Sequence, residues 1–246
     1  MRDDELVSLG LGEAAQVERG VFVERRSFFT VAAAALAAAG LPGMARARRL
    51  DERRDSFTYE DFLAEAVPAA KSLVADTSIK GQDRYLFTLA ALAVRVNDVA
   101  QPQMRANGPG KFIGANDGGD PFVVLHWRME AGARIEAHPH IYGNVVTLGL
   151  EGEALVENYE VEGERDWLTK EPFAVRRTVS QWLTHGGVNV VNLERNYCHG
   201  FTAGPNGARG LDITTRLRPR QDSPSLIVGR ALDDSRARFE GSWRYE

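Results

Sequence analysis

All five histidines of this 246-residue chain lie between His126 and His199. Two of them, His138 and His140, are separated only by Pro139. On a β-strand, residues i and i+2 project from the same face, so one short strand would present two imidazoles side by side. Imidazole is the commonest metal-binding side chain, and two on one face can hold one ion without rearrangement. Pro139 would point the other way and cannot donate to a ladder, which predicts an edge or a bulge here. The chemistry in prospect is that of a single ion, acting as Lewis acid, template or redox centre.

The elements that must position this pair follow from the periodicity. From residue 122 onward the apolar pattern has period two, and strands are expected at 122–129, 135–140, 144–150, 153–159, 173–179, 188–193, 199–202 and 209–217. Turns such as Glu130-Ala131-Gly132, Glu151-Gly152 and His185-Gly186-Gly187 separate them. Short, evenly spaced strands of this kind predict an all-β sandwich or barrel, not βαβ units. Ahead of them a helix is expected over 58–76, with Phe62, Ala66, Ala69 and Leu73 on one face and Thr58 and Asp61 as a capping pair. Pro68 is expected to kink or split it. A second helix over 82–98 would align Tyr85, Leu89, Leu92 and Val96 and complete a helical hairpin. Residues 107–121, rich in Gly, Asn, Asp and Pro, read as a loop, and 219–246 read as a polar tail wrapping the outside.

The run from Gly132 through His138 and His140 to Gly152 resembles the first signature of the cupin superfamily. The segment from Gly187 through Asn189, Asn192 and Cys198 to His199, Gly200 and Phe201 resembles the second. The resemblance implies an all-β cupin (jelly-roll) barrel preceded by the helical hairpin, with His199 delivered to the same ion as His138 and His140. Many cupins place a glutamate after the pair as a fourth ligand; Asn144 stands there in this chain. What is implied is an open three-histidine site, suited to Fe(II) chemistry with dioxygen and compatible with Mn, Zn, Ni or Cu.

The stretch from His138 to Ala154 also resembles the three-histidine thiol dioxygenases of the cysteamine dioxygenase and plant cysteine oxidase branch. Gly210-Leu211-Asp212-Ile213 stands at similar spacing after the third histidine, and two helices likewise precede the barrel. This likeness spans about residues 58–217. Two positions depart from it: Glu151-Gly152 where the branch has Tyr-Gly, and Thr214-Thr215-Arg216 where it has Pro-Pro-Tyr. Asp212 is a candidate to orient a ligating imidazole or a bound water. Tyr159 is a candidate to reach the pocket. Cys198, beside a ligand, should alternate away from the metal as a small buried hydrophobe. His126 and Arg128 share a strand face that, if inward, would bind an anionic group, and His185 reads as a turn residue.

Composition limits the partners. A net charge of −4 and a pI near 5.8 argue against nucleic acid or an anionic membrane surface. No apolar run is long enough to form a stable membrane span, and the single cysteine excludes an intramolecular disulfide. Residues 24–47 have the parts of an export signal: a charged start, an alanine-rich apolar stretch and small residues before Arg48. Arg25-Arg26-Ser27-Phe28-Phe29 resembles a twin-arginine signal, which implies the twin-arginine export machinery as a partner and a periplasmic or secreted location. That route carries folded proteins, so the metal would be loaded before export.

The expected organisation is therefore a signal peptide at 1–47, a linker and helical hairpin at 48–106, a cupin barrel at 107–220 and a C-terminal tail at 221–246. The leading functional expectation is a non-haem Fe(II) dioxygenase acting on a small-molecule thiol. A metal-dependent isomerase or lyase and a non-enzymatic metal- or ligand-binding periplasmic cupin are the other classes. Many cupins pair through their barrels, so a homodimer is compatible with this reading.

Overall fold

The computed structural model describes residues 57–96, 99–117, 121–219 and 223–245. The signal-like segment 1–47 and the linker at 48–55 lie outside the described residues.

The helical hairpin forms as its pattern predicts. Helix α1 (Tyr59–Ala75) opens on a capping box: Thr58 Oγ1 accepts from the Asp61 amide at 3.1 Å, and the Asp61 carboxylate accepts from the Thr58 amide at 3.0 Å. Pro68 lies inside α1 without splitting it. The buried stripe of Phe62, Ala66, Ala70 and Leu73 holds the helix on both sides of the proline and outweighs one missing hydrogen bond. Helix α2 (Ile79–Ala93) is capped by Ser78, whose hydroxyl accepts from the Gly81 amide, and it ends earlier than expected.

Among the described residues ten antiparallel strands follow: β1 (Arg105–Ala106), β2 (Lys111–Asp117), β3 (Phe122–Met129), β4 (Arg134–Pro139), β5 (Gly143–Val161), β6 (Phe173–Leu183), β7 (Val188–Val191), β8 (Cys198–Arg216), β9 (Ser225–Ala231) and β10 (Arg238–Arg244). Strands β5 and β8 are each 19 residues long, and each absorbs two of the expected short strands. They pair from Gly143↔Arg216 to Tyr159↔Cys198, with register irregularities at Gly149/Glu151 and Gly152/Ala154. Bulges bend a ribbon, and here the bend carries it from one layer of the barrel to the other. Gly152 makes the bend possible: its φ is +63°, and a Cβ there would lie 2.1 Å from the Gly207 carbonyl oxygen.

The first layer runs β1-β2-β3, then the C-terminal half of β8, the N-terminal half of β5, and β7. The second joins β4, the N-terminal half of β8, the C-terminal half of β5, and β6. Strands β9 and β10 bridge β4 to β6, so the hydrogen-bonded ring closes. The expected all-β jelly-roll barrel with a helical pair ahead of it is what the chain forms.

Three apolar cores result. Helices α1 and α2 cover the outer face of the first layer against Phe122, Val124, Leu148, Leu211 and Ile213. Trp127, Met129, Val156 and Phe201 fill the space between the layers. Tyr159, Val175, Cys198 and Leu226 form the third core behind the second layer, under β9 and β10.

Two expectations are corrected. The segment read as a tail supplies β9 and β10, and Leu226 of β9 pairs with Ala137 beside the first histidine. Leu226-Ile227-Val228 runs apolar without alternation, and charged residues flank Phe239 and Trp243, so the period-two pattern is masked. The segment 107–121, read as a loop, contains β2, whose polar residues borrow hydrogen bonds from β3 along Lys111↔Met129 to Asp117↔Val124.

Candidate metal centre

The local chain geometry brings the ligands together. Strand β4 carries His138 opposite His199 of β8, and His199 in turn lies opposite Asn158 of β5. These three side chains form one row on the inner face of the second layer. A register shift between Ile135 and His138 supplies the bulge that Pro139 predicted. The Ser223 hydroxyl donates to the Pro139 carbonyl at 2.6 Å, fixing the strand end. His140 lies just past β4, and its amide donates to the Tyr197 carbonyl at 2.8 Å, which ties the second ligand to the turn leading into the third.

The potential ligand atoms of His138, His140 and His199 all lie within 4.8 Å of one another, and no other such His, Cys, Asp or Glu cluster occurs among the described residues. Their ring centroids are 5.0, 5.0 and 4.6 Å apart. The Nε2 atoms of His140 and His199 approach to 2.8 Å. Two nitrogens sharing one ion at about 2.0–2.1 Å would sit this close at roughly a right angle. His138 donates its Nδ1–H to the Glu136 carbonyl at 3.0 Å, which leaves Nε2 as the free donor atom. His199 Nδ1 faces Asn189 Oδ1 at 3.4 Å.

Burial, reinforced by the neighbouring imidazoles, holds the pKa values of His140 and His199 well below the ordinary histidine range. Both are therefore neutral at physiological pH, the form that ligates a metal. Two neutral and fully enclosed nitrogens beside a third make a donor set that fits a transition ion. Asn144 contributes nothing to it: its side-chain oxygen accepts from the Leu193 amide at 3.3 Å. Among the described residues no further His, Cys, Asp or Glu joins the three histidines.

The other candidates divide. Asp212 lies in β8 with its carboxylate accepting from the Thr147 hydroxyl at 2.7 Å. Burial raises its pKa, opposed by that hydrogen bond. It bonds none of the three histidines. Tyr159 is a correction. It lies opposite Cys198 and one residue past Asn158, so alternation turns it to the back of the sheet, where its ring meets Phe239 edge-on at 6.3 Å. Burial pushes its phenol pKa up. His126 and Arg128 are also turned away: His126 meets Tyr59 at the helix side, and Arg128 lies over Phe112. Cys198 is fully buried behind the sheet, with its thiol pKa pushed up by burial. His185 sits in the β6–β7 turn with Nδ1 2.8 Å from the Leu150 carbonyl.

Asn158 and Asn189 were missed by sequence reasoning. Asn189 Nδ2 donates to Asn158 Oδ1 at 2.9 Å, and both side chains are buried at the third histidine. The available signal was Asn189 interrupting the apolar run from Val188 to Val191; Asn158, between Glu157 and Tyr159, offered none.

No protein-family model matches the chain, and no curated protein matches its sequence. Weak likenesses to solved structures exist. KdgF from Halomonas sp. is 19% identical, with a TM-score of 0.34 over 49% of this chain and 88% of that one. The coconut allergen cocosin is 19% identical, with a TM-score of 0.38 over 51% of this chain and 30% of the allergen. The cupin domain of Schizosaccharomyces pombe Cnp3 is 13% identical, with a TM-score of 0.33 over 46% and 68% of the two chains. Likenesses this distant assign no activity, and the barrel and its three histidines stand on their own strand pairings.

Proposed function

We propose that the chain is an exported mononuclear non-haem iron dioxygenase whose substrate is a small thiol. One observation carries the reading: three imidazoles converge, two of them buried, and no further His, Cys, Asp or Glu joins them among the described residues. An ion held by these three nitrogens would have room for both a thiolate and dioxygen. When bound, Fe(II) would supply a template for the two reactants and the redox capacity to join them.

The residues of the chain do the rest. His138, His140 and His199 would hold the ion on the inner face. Trp127 and Phe201 close the space between the layers against water, and Phe201 packs on the His199 ring at 4.7 Å. Asp212, a buried carboxylate anchored by Thr147, would take up the proton that the thiol releases on binding. Both oxygen atoms end on sulfur, so a thiol becomes a sulfinic acid with no other reductant. The twin-arginine-like segment supports loading of the metal before export.

The test is metal analysis of protein purified without oxygen, followed by oxygen uptake with cysteamine and with cysteine. Iron near one per chain and uptake matched by sulfinate are expected. Zinc or manganese without uptake would favour a Lewis-acid isomerase or lyase instead. Full iron loading with no uptake on either thiol would sink the thiol assignment.

A further inference from the structure

We infer that Asn158 and Asn189 form an amide relay that sets which nitrogen of His199 faces the metal. This rests on the reading of the three histidines as a metal centre. Neither asparagine touches the ligand cluster's Nε2 atoms, so both are positioning residues.

The direction of the relay follows from donor chemistry alone. The Val190 carbonyl can only accept, and it lies 3.3 Å from the Asn158 side-chain amide, so the atom facing it must be Nδ2. Asn158 therefore turns Oδ1 toward Asn189. That oxygen can only accept, so the Asn189 atom 2.9 Å away must be Nδ2. Asn189 then presents Oδ1 to His199, 3.4 Å from Nδ1. An amide oxygen requires a proton from its partner, so His199 carries its hydrogen on Nδ1 and leaves the Nε2 lone pair bare. The chain from a fixed backbone carbonyl to the ligand contains no reversible step, because flipping either amide would oppose two oxygens or two N–H groups.

Position supports the assignment. Asn158 is 0% exposed and Asn189 is 3% exposed. A buried amide in a barrel core costs free energy unless it is fully bonded, and an apolar residue would fill either place. Asn158 lies opposite His199 in the β5–β8 pairing, and Asn189 lies opposite Thr147 in the β5–β7 pairing. The relay thus couples the short edge strand β7 to the ligand strand β8, which it does not otherwise pair with. His138 obtains the same tautomer from its own strand, through the Glu136 carbonyl. His199 has no such local acceptor, and the relay replaces it.

The experiment uses Co(II) as a spectroscopic probe with the wild-type chain, Asn158→Leu, Asn189→Leu, the double variant and Asn189→Asp. Either leucine variant is expected to weaken Co(II) binding about 10- to 100-fold, the usual effect of losing a group that orients a ligand. If the relay acts as one unit, the double variant is no weaker than the weaker single one. Asn189→Asp keeps an acceptor for Nδ1–H but sets a second oxygen against Asn158 Oδ1, so it should bind Co(II) more tightly than Asn189→Leu and more weakly than the wild type. Leucine variants within twofold of wild type would overturn the relay, as would losses that multiply in the double variant. Imidazole proton–nitrogen NMR of the metal-free wild type gives a second measurement that no misfolded variant can obscure. A proton on Nδ1 of His199 supports the relay, and one on Nε2 overturns it. A wild-type chain that binds no Co(II) would sink the metal reading itself, and the NMR result would still decide the tautomer.

Discussion

The two faces of the ligand-bearing sheet make an instructive pair. On the inner face His138, His199 and Asn158 stand in one row across β4, β8 and β5. On the back, one residue along each strand, Ala137, Cys198 and Tyr159 enter an apolar core with Leu226. The same three strands thus carry a polar site and a hydrophobic cluster, separated only by the alternation of side chains. The site's polar groups are held by directed hydrogen bonds, and the back face is held by area. Changes on the inner face should therefore alter chemistry with modest loss of stability, and changes on the back should do the reverse.

The sharpest way to break that contrast is at a ligand. His140→Ala should reduce bound metal from one per chain to background and abolish turnover, with the far-UV circular dichroism unchanged. Retained stoichiometric metal would show that the three histidines are not the centre. The complementary blow to the back face is Leu226→Ala, which empties a position that is 1% exposed. It should destabilise the fold by about 2–4 kcal/mol in urea unfolding, while folded protein still binds metal.

Asp212→Asn tests whether charge on the inner face serves turnover or structure. A loss on the order of 100-fold in kcat, with metal content unchanged, is the expected result for a group that handles a proton. Loss of metal in step with activity would instead make Asp212 part of the support of the ligands.

The metal-free protein should show the polarity of the inner face in its pH response. His140 and His199 have folded-state pKa values depressed below 6.5, chiefly by burial. Below that value the unfolded chain takes up protons that the folded chain does not. Their contribution to stability is thus complete above about pH 6.5 and declines as pH falls, by at most about 1.4 kcal/mol per pH unit for each imidazole. Urea midpoints at pH 7.5 and 5.5 measure it, and His199→Gln should flatten the slope. An unchanged slope would mean that the buried ring is not what titrates.

The smallest effects belong to the back-face neighbours of the ligands. Cys198→Ala and Tyr159→Phe should each cost no more than about 1 kcal/mol and leave metal content and turnover at wild-type levels. A change in turnover from Tyr159→Phe would return that phenol to the chemistry.

The histidine pair, the helical hairpin and the existence of an antiparallel barrel were legible because each is a local pattern. His138-Pro139-His140 places two imidazoles on one side of any strand, whatever surrounds it. The box of Thr58 and Asp61 starts α1 by satisfying its own amides. The third ligand was legible only by resemblance, since 59 residues separate His199 from His140. Long-range matters were harder. The expected short strands at 144–150 and 153–159 are one bent strand, because glycine at 152 reads as a turn but here allows a bulge. The polar C-terminal segment hides two strands, because its alternation is diluted by paired charges such as Arg238 with Glu162.

What the sequence alone determined is therefore the histidine pair, the period of the helices and of the central strands, and the neutral side chain at Asn144. These depend on residue type and on spacing within a few positions. Which side each strand turns to the interior was decided only by the tertiary structure. Register between β5 and β8 puts Asn158, not Tyr159, opposite His199, and a slip of one residue would exchange the two. The roles of Asn158 and Asn189 belong to that second kind, since an amide acquires a direction only from the partners that packing brings to it.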